Sequence, residues 1–168
     1  MTQKYTVGII GGAGYTAGEL IRILRWHPAV ELSFVHSNSQ AGKPVSSIHQ
    51  DLAGDFFMDF TAAVDLKVDV LFLCSGHGKS RSWLAENEVP AETLVVDLST
   101  DFRLTDDFVY GLPELNRAAI MSSKRIANPG CFATAIQLGL LPLAAAGKLK
   151  EEVHIHAITG STGAGQQP

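Results

Sequence analysis

The sequence predicts an α/β architecture of the Rossmann type, a mostly parallel sheet with helices on both faces. Short apolar runs at residues 5–10, 30–36, 68–74 and 94–98 each end in a loop rich in glycine, serine or asparagine. Continuous apolar runs of this kind mark strands buried on both faces. The first run leads through a glycine turn into a segment of helical spacing, a context that brings phosphate to a helix N-terminus. With 168 residues, 46% hydrophobic, the chain supports one domain with a sizeable core but not two full ones.

Composition also excludes partners. A net charge of -4 with scattered Lys and Arg argues against a nucleic-acid surface, so any anion must be held by local features. No apolar run reaches membrane-spanning length. Two Cys and no secretory leader fit a reducing cytoplasm, and Met1-Thr2-Gln3-Lys4 runs straight into the first strand.

Tyr5–Ile10 is the first strand, and a helix is expected from Glu19 to Trp26, closed by His27-Pro28. The turn between them reads G-x-x-G-x-x-A, from Gly11 through Gly14 to Ala17, and not the commoner G-x-G-x-x-G. Small residues at these steps still let a pyrophosphate approach the backbone. Gly11, Gly12, Ala13, Gly14, Tyr15 and Thr16 are therefore candidate cofactor contacts, with a plain glycine-rich turn as the alternative. Val30–His36 is the second strand, whose end meets the adenine ribose in a dinucleotide site. Its loop, Ser37-Asn38-Ser39-Gln40-Ala41-Gly42-Lys43, carries hydroxyls, an amide and a lysine but no carboxylate. Ser37 and Ser39 are candidate donors to a 2′-phosphate, so NADP(H) is expected over NAD, although an ordinary connector has the same composition.

Residues 46–60 read as a long irregular connection with a short strand around Phe56–Phe60. Val68–Cys74 is a buried strand with Cys74 as its last core residue. Ser75, Gly76 and His77 at its carboxyl end are candidate cofactor contacts, since ligands lie at that edge of a parallel sheet. His77 stands either to face the nicotinamide or to cap the helix expected from Ser80 to Glu86, and the sequence does not separate the two. After the strand Leu94–Leu98 comes Arg103, either a phosphate clamp or the partner of Asp101, Asp106 or Asp107 in a surface ion pair. From the residues alone the ion pair is preferred. Tyr110–Asn116 introduces a short helix.

A strand-like run, Arg125-Ile126-Ala127, leads into Asn128-Pro129-Gly130-Cys131, and a helix is expected from Phe132 to about Leu143. Asn128 and Pro129 cannot extend that helix backwards, so Cys131 sits in or just before its first turn. Unpaired N–H groups and the helix dipole favour thiolate there and make Cys131 a candidate nucleophile for acyl centres. A small apolar residue opening a buried helix is the alternative. Val153–Thr159 alternates as a strand with His154 and His156 on one face. No third ligand stands at a workable spacing, so no metal is expected. The sequence stops on the glycine-rich stretch Gly160–Pro168, which reads as a domain cut short.

Taken together, the motifs resemble the N-acetyl-gamma-glutamyl-phosphate reductase family. They are Gly11–Gly18 with Tyr15-Thr16, Ala41-Gly42-Lys43-Pro44, Asp97-Leu98-Ser99 with Asp101-Phe102-Arg103, Tyr110–Arg117, Asn128–Cys131 and Gly160–Gly165, in family order. The resemblance implies an NADP-binding Rossmann domain over residues 1–130. From residue 131 to 168 it implies the start of a glyceraldehyde-3-phosphate dehydrogenase-like α+β substrate domain, which continues beyond this chain in the family. It also implies an acyl phosphate as substrate, a homo-oligomer, Cys131 as catalytic nucleophile, and Arg103, Asn128, Ser161, Thr162 and Gly163 as substrate or phosphate contacts. Ala17 departs from the usual third glycine, and Asn38 stands where many members carry an arginine. The family's acid–base histidine motif matches none of the six His here, so little turnover is expected of these 168 residues alone. Alternatives are a reductase of aminoadipyl or aspartyl phosphate, and a dinucleotide-binding module without chemistry. Such a module would have no reason for Asn128–Cys131.

Overall fold

The computed structural model of the protein describes residues 4–164. Its elements are β1 (Tyr5–Ile10), α1 (Tyr15–Leu24), β2 (Val30–His36), β3 (Phe60–Thr61), β4 (Val70–Leu73), α2 (Ser80–Glu86), β5 (Leu94–Asp97), β6 (Val109–Tyr110), α3 (Pro113–Ser122), β7 (Arg125–Ala127), α4 (Cys131–Ala145) and α5 (Ser161–Ala164). Seven strands form one sheet in the order β3-β2-β1-β4-β5-β7-β6. Every pairing is parallel, so all carboxyl ends share one edge. From β1 the chain builds outward to β2 and β3, then returns to β4 on the other side. The loops after β1 and β4 therefore part at a topological switch point, where such sheets bind ligands.

Each face of the sheet carries its own core. On one, Ile21 and Leu24 of α1 pack with Val7, Ile9, Val35 and Phe60. On the other, Trp83 and Leu84 of α2 lie against Ile10, Phe34, Leu71, Leu73 and Val95. Gly8 is required by volume: a Cβ there would lie 2.3 Å from the Phe34 ring. The Phe34 side chain thus occupies the space a larger residue in β1 would need.

Several expected boundaries shift. The helix after the glycine turn begins four residues early, at Tyr15, because Gly14 is extended and serves as its N-cap. The strand expected around Phe56–Phe60 is only Phe60–Thr61, and β4 and β5 are shorter than their apolar runs. The helix opened by Pro113 runs to Ser122 with a kink at Asn116, whose Nδ2 donates to the Tyr110 carbonyl at 2.9 Å. The strand expected over Val153–Thr159 does not form. Those residues are irregular and exposed, with no neighbouring strand among the described residues to complete a ladder. Neither His154 nor His156 is therefore a strand residue, and His154 Nε2 lies 3.0 Å from the Glu152 carboxylate. The glycine-rich loop expected over Gly160–Pro168 contains the one-turn α5, and its last four residues lie outside the described ones. Among the described residues no helix is long and apolar enough to cross a membrane.

Gly8→Ala should cost about 1–3 kcal/mol by overpacking, read from denaturant midpoints. The cost should shrink in a Phe34→Leu background, and an equal cost in both backgrounds would contradict the assigned contact.

Candidate active site

The glycine turn is fixed from inside. Gly11 adopts φ +79°, a conformation side chains rarely take, and a Cβ on it would lie 2.6 Å from the Ser75 backbone. Gly12 N–H donates to the His36 carbonyl at 2.7 Å. Its own carbonyl accepts from Nε2–H of the buried His49 at 2.8 Å. Among the described residues no protein group accepts from the N–H of Ala13, Tyr15, Thr16 or Ala17. Four donors are thereby left at the head of α1, a set that fits the oxygens of a pyrophosphate. At the end of β2, Ser37 is buried and its N–H is used on Thr61, leaving only its hydroxyl, while Ser39 is exposed. Asn38 accepts from His36 Nε2 at 3.1 Å.

Contacts then pass along the carboxyl edge from loop to loop. Gly11 packs on Ser75 at the switch point. The loop after β4 carries the exposed Gly76, His77 and Gly78. His77 makes no capping bond, since the N-cap of α2 is Lys79 and no side chain caps it. Gly78 N–H donates to the Asp101 carboxylate at 2.7 Å and Arg81 N–H to its other oxygen at 3.1 Å. Burial would raise the Asp101 pKa, but these N–H donors outweigh it and hold the carboxyl below its ordinary value. Phe102 is buried, stacks on Phe108 with ring centroids 4.1 Å apart, and anchors this loop to the core. Asp97, fully buried at the end of β5, accepts from the Ser99 hydroxyl at 2.7 Å and from Ser99 N–H at 3.2 Å.

Arg103 carries the contact to the cysteine turn. Its Nε–H donates to the Asn128 carbonyl at 2.9 Å and its Nη2–H to the Leu98 carbonyl at 3.3 Å. The ion pair preferred from sequence is absent: among the described residues Arg103 pairs with none of Asp101, Asp106 or Asp107. Asp101 is occupied by the α2 loop, which leaves Arg103 to clip β5 to the turn after β7. Gly130 makes room for it, since a Cβ there would sit 3.0 Å from Nη1. Asn128 N–H donates to the Asp97 carbonyl at 2.8 Å and completes the join. Cys131 follows as the first residue of α4, exposed, with Thr134 closing the turn onto the Gly130 carbonyl through both N–H and hydroxyl. Cys74 is its opposite, a thiol pushed up to about 12 by burial and the Asp97 charge, and so a protonated core residue at neutral pH.

Thr162 and Gly163 are exposed in α5, and no hydrogen bond among the described residues ties 151–164 to the Cys131 turn. The Ser161 side chain and Gly165 lie outside the described residues. Sequence reasoning missed His49, in a connection read as irregular. Two 3₁₀ turns, Val45–Ser47 and Gln50–Leu52, bury Val45 and Leu52 and carry His49 under the glycine turn. The apolar spacing of Val45 and Leu52 was the available signal.

Gly130→Ala should destabilise by about 1 kcal/mol, the size of one lost hydrogen bond. The change should be near neutral in an Arg103→Ala background, because the contact it disturbs is then gone. Additive costs in the double-mutant cycle would contradict the Arg103–Gly130 contact.

The semialdehyde dehydrogenase NAD-binding domain matches residues 6–123, and the semialdehyde dehydrogenase dimerisation domain matches residues 131–168. N-acetyl-gamma-glutamyl-phosphate reductases of Flavobacterium johnsoniae and Christiangramia forsetii are 60% and 58% identical over 95% and 94% of this chain. The chain covers 51% and 50% of theirs, about half the length of these curated relatives. Among solved structures, aspartate semialdehyde dehydrogenase II of Vibrio cholerae shares the fold at TM-score 0.62 and 24% identity, over 86% of this chain and 43% of that one. Aspartate semialdehyde dehydrogenase with NADP from Candida albicans does so at TM-score 0.61 and 18% identity, over 88% of this chain and 48% of that one. With its parallel sheet, open glycine turn and exposed Cys131, and with the family match over residues 6–123, the chain belongs to the semialdehyde dehydrogenase family.

Proposed function

We propose that the chain carries the nucleotide-binding and nucleophile-bearing part of an NADPH-dependent reductase. The reaction converts N-acetyl-gamma-glutamyl phosphate into N-acetylglutamate 5-semialdehyde and phosphate, in arginine biosynthesis. The observation that supports it most is the join of Arg103 to Asn128 and Gly130, which ties an anion-binding side chain to the turn that exposes Cys131. The 60% identity to a relative named for this substrate favours it over the aspartate enzymes, whose likeness is 24% or less. Residues 1–130 form the nucleotide domain in this reading, and residues 131–168 begin the substrate domain. The dimerisation-domain match over 131–168 supports a homo-oligomer.

The residues divide the work as follows. Gly11–Thr16 take the pyrophosphate on the free N–H groups of Ala13, Tyr15 and Thr16. Ser37 and Ser39 meet the ribose end, where NADP(H) is favoured because no carboxylate opposes a 2′-phosphate. Ser75, Gly76 and His77 border the nicotinamide end. Two N–H groups of the Arg103 fork face backbone carbonyls, and the remainder stay available to the phosphate of the substrate. Asn128, Ser161, Thr162 and Gly163 complete the substrate contacts. Cys131 Sγ attacks the acyl carbonyl, the bond from carbonyl carbon to phosphate oxygen breaks, phosphate leaves, and a thioester remains. Unpaired N–H groups in the first turn of α4 stabilise the oxyanion formed on the way. NADPH, when bound, supplies the hydride that reduces the thioester carbonyl. The hemithioacetal alkoxide then collapses, its C–S bond breaks, and the sulfur returns to Cys131 as thiolate while the semialdehyde departs.

The reverse direction gives the test, run on the longest natural form of the protein. NADP reduction should require phosphate, proceed with N-acetylglutamate semialdehyde but not aspartate semialdehyde, and fall to background in Cys131→Ser. Preference for aspartate semialdehyde would contradict the substrate. Turnover of neither, with NADPH still bound, would point to the carrier-linked aminoadipyl substrate or a binding module without chemistry.

A further inference from the structure

We propose that His49 is a positioning residue for dinucleotide binding, holding the Gly12 carbonyl inward so that the Ala13 N–H faces outward to the pyrophosphate. The inference rests on the reading of the glycine turn as the nucleotide site. A carbonyl only accepts, so the imidazole carries its proton on Nε2 and donates across 2.8 Å. No cis peptide bond occurs among the described residues, so the Gly12–Ala13 unit is planar and trans, with its C=O and N–H in opposite directions. Fixing the carbonyl toward His49 therefore fixes the Ala13 N–H away from it. Since Gly12 N–H is already bound to the His36 carbonyl, both polar groups of this glycine are held by the protein. The next N–H, that of Ala13, has no protein acceptor among the described residues. Without the histidine, a turn this rich in glycine has a low barrier to rotating the peptide, and the donor would turn inward.

The imidazole is itself held on several sides. It is 6% exposed and lies tilted against Phe60, with ring centroids 6.4 Å apart. It fills the space beside Gly18, where a Cβ would be 2.6 Å from Nδ1. Two residues on, Asp51 takes both Nε and Nη2 of Arg22 at 2.7 Å, which fastens the same 3₁₀ segment to the outer side of α1. The connection between β2 and β3 thus does two jobs. Its start, at Ser37–Ser39, borders the ribose end, and its middle braces the turn that takes the phosphates. Gly18 explains a departure noted in the sequence. Ala17 is accommodated in the core under α1, and the position that must stay small is the next one, because the histidine occupies its space.

The test compares two ligands in the longest natural form of the protein by calorimetry: NADPH, and adenosine 2′-monophosphate, which has the ribose end but no pyrophosphate. His49→Phe keeps a ring and removes the donor. It should weaken NADPH about tenfold, the effect of one well-placed hydrogen bond, and leave adenosine 2′-monophosphate unchanged. His49→Gln, which restores an N–H, should recover most of the loss. Gly18→Ala keeps His49 but displaces its ring, and should repeat the selective loss if His49→Phe does not fold. Unchanged NADPH affinity in the folded variants, or equal weakening of both ligands, would overturn the inference. A wild-type protein that binds no NADPH would instead overturn the reading of the site.

Discussion

The guanidinium of Arg103 lies where the nucleotide-binding half of the edge meets the cysteine turn. It donates to the carbonyls of Leu98, just past β5, and of Asn128, just past β7, and it fills the space left by Gly130. A cation bonded to two backbone carbonyls in a half-buried site is stronger than two neutral hydrogen bonds, and a lysine could not span both acceptors in this geometry. The position of Cys131 follows from that join. Residue 131 begins α4 because Asn128 is bound to Asp97 and Arg103 together, Pro129 blocks a helical approach, and Thr134 closes the first turn.

Behind it runs a series of contacts between neighbouring loops: Gly11 on Ser75, Gly78 on Asp101, Arg103 on Asn128. Each joins the end of one strand to the end of the next, so the edge behaves as one body and not as a set of independent loops. Parallel pairing makes this possible by gathering every carboxyl end on one side. The cores supply the rigidity, with Phe102 stacked on Phe108 under the Arg81 guanidinium, and Val35 and Phe60 against Gly12 of the glycine turn. Acid should loosen the series at Asp101. Its folded carboxyl binds a proton less readily than the ordinary 3.8, so the stability it contributes is complete above that value and is lost as the pH falls below it.

Much of this could be read from the sequence wherever a local pattern decides the outcome. β1, β2, α2 and β7 coincide with the segments expected from the sequence, and the glycine turn and Cys131 both stand at strand ends on one edge. What escaped depends on partners far away in the chain. The bond from His49 crosses 37 residues to Gly12, and the acceptors of Arg103 are backbone carbonyls, which carry no sequence signature. The preference for an Arg103 ion pair failed because Asp101 answers to Gly78 and Arg81. Val153–Thr159 has the alternation of a strand but no ladder to join among the described residues, since pairing belongs to the sheet and not to the segment.

The proposed chemistry requires Cys131 to be acylated at a turn that Arg103 holds in place. Its most direct test is intact-protein and peptide mass spectrometry after rapid mixing with N-acetyl-gamma-glutamyl phosphate in the absence of NADPH. One acetylglutamyl adduct should appear on the Cys131 peptide, forming about tenfold or more slowly in Arg103→Lys, where the two-carbonyl clip is lost. Absence of the adduct from a protein that still binds NADPH, or an adduct on any other residue, would contradict it.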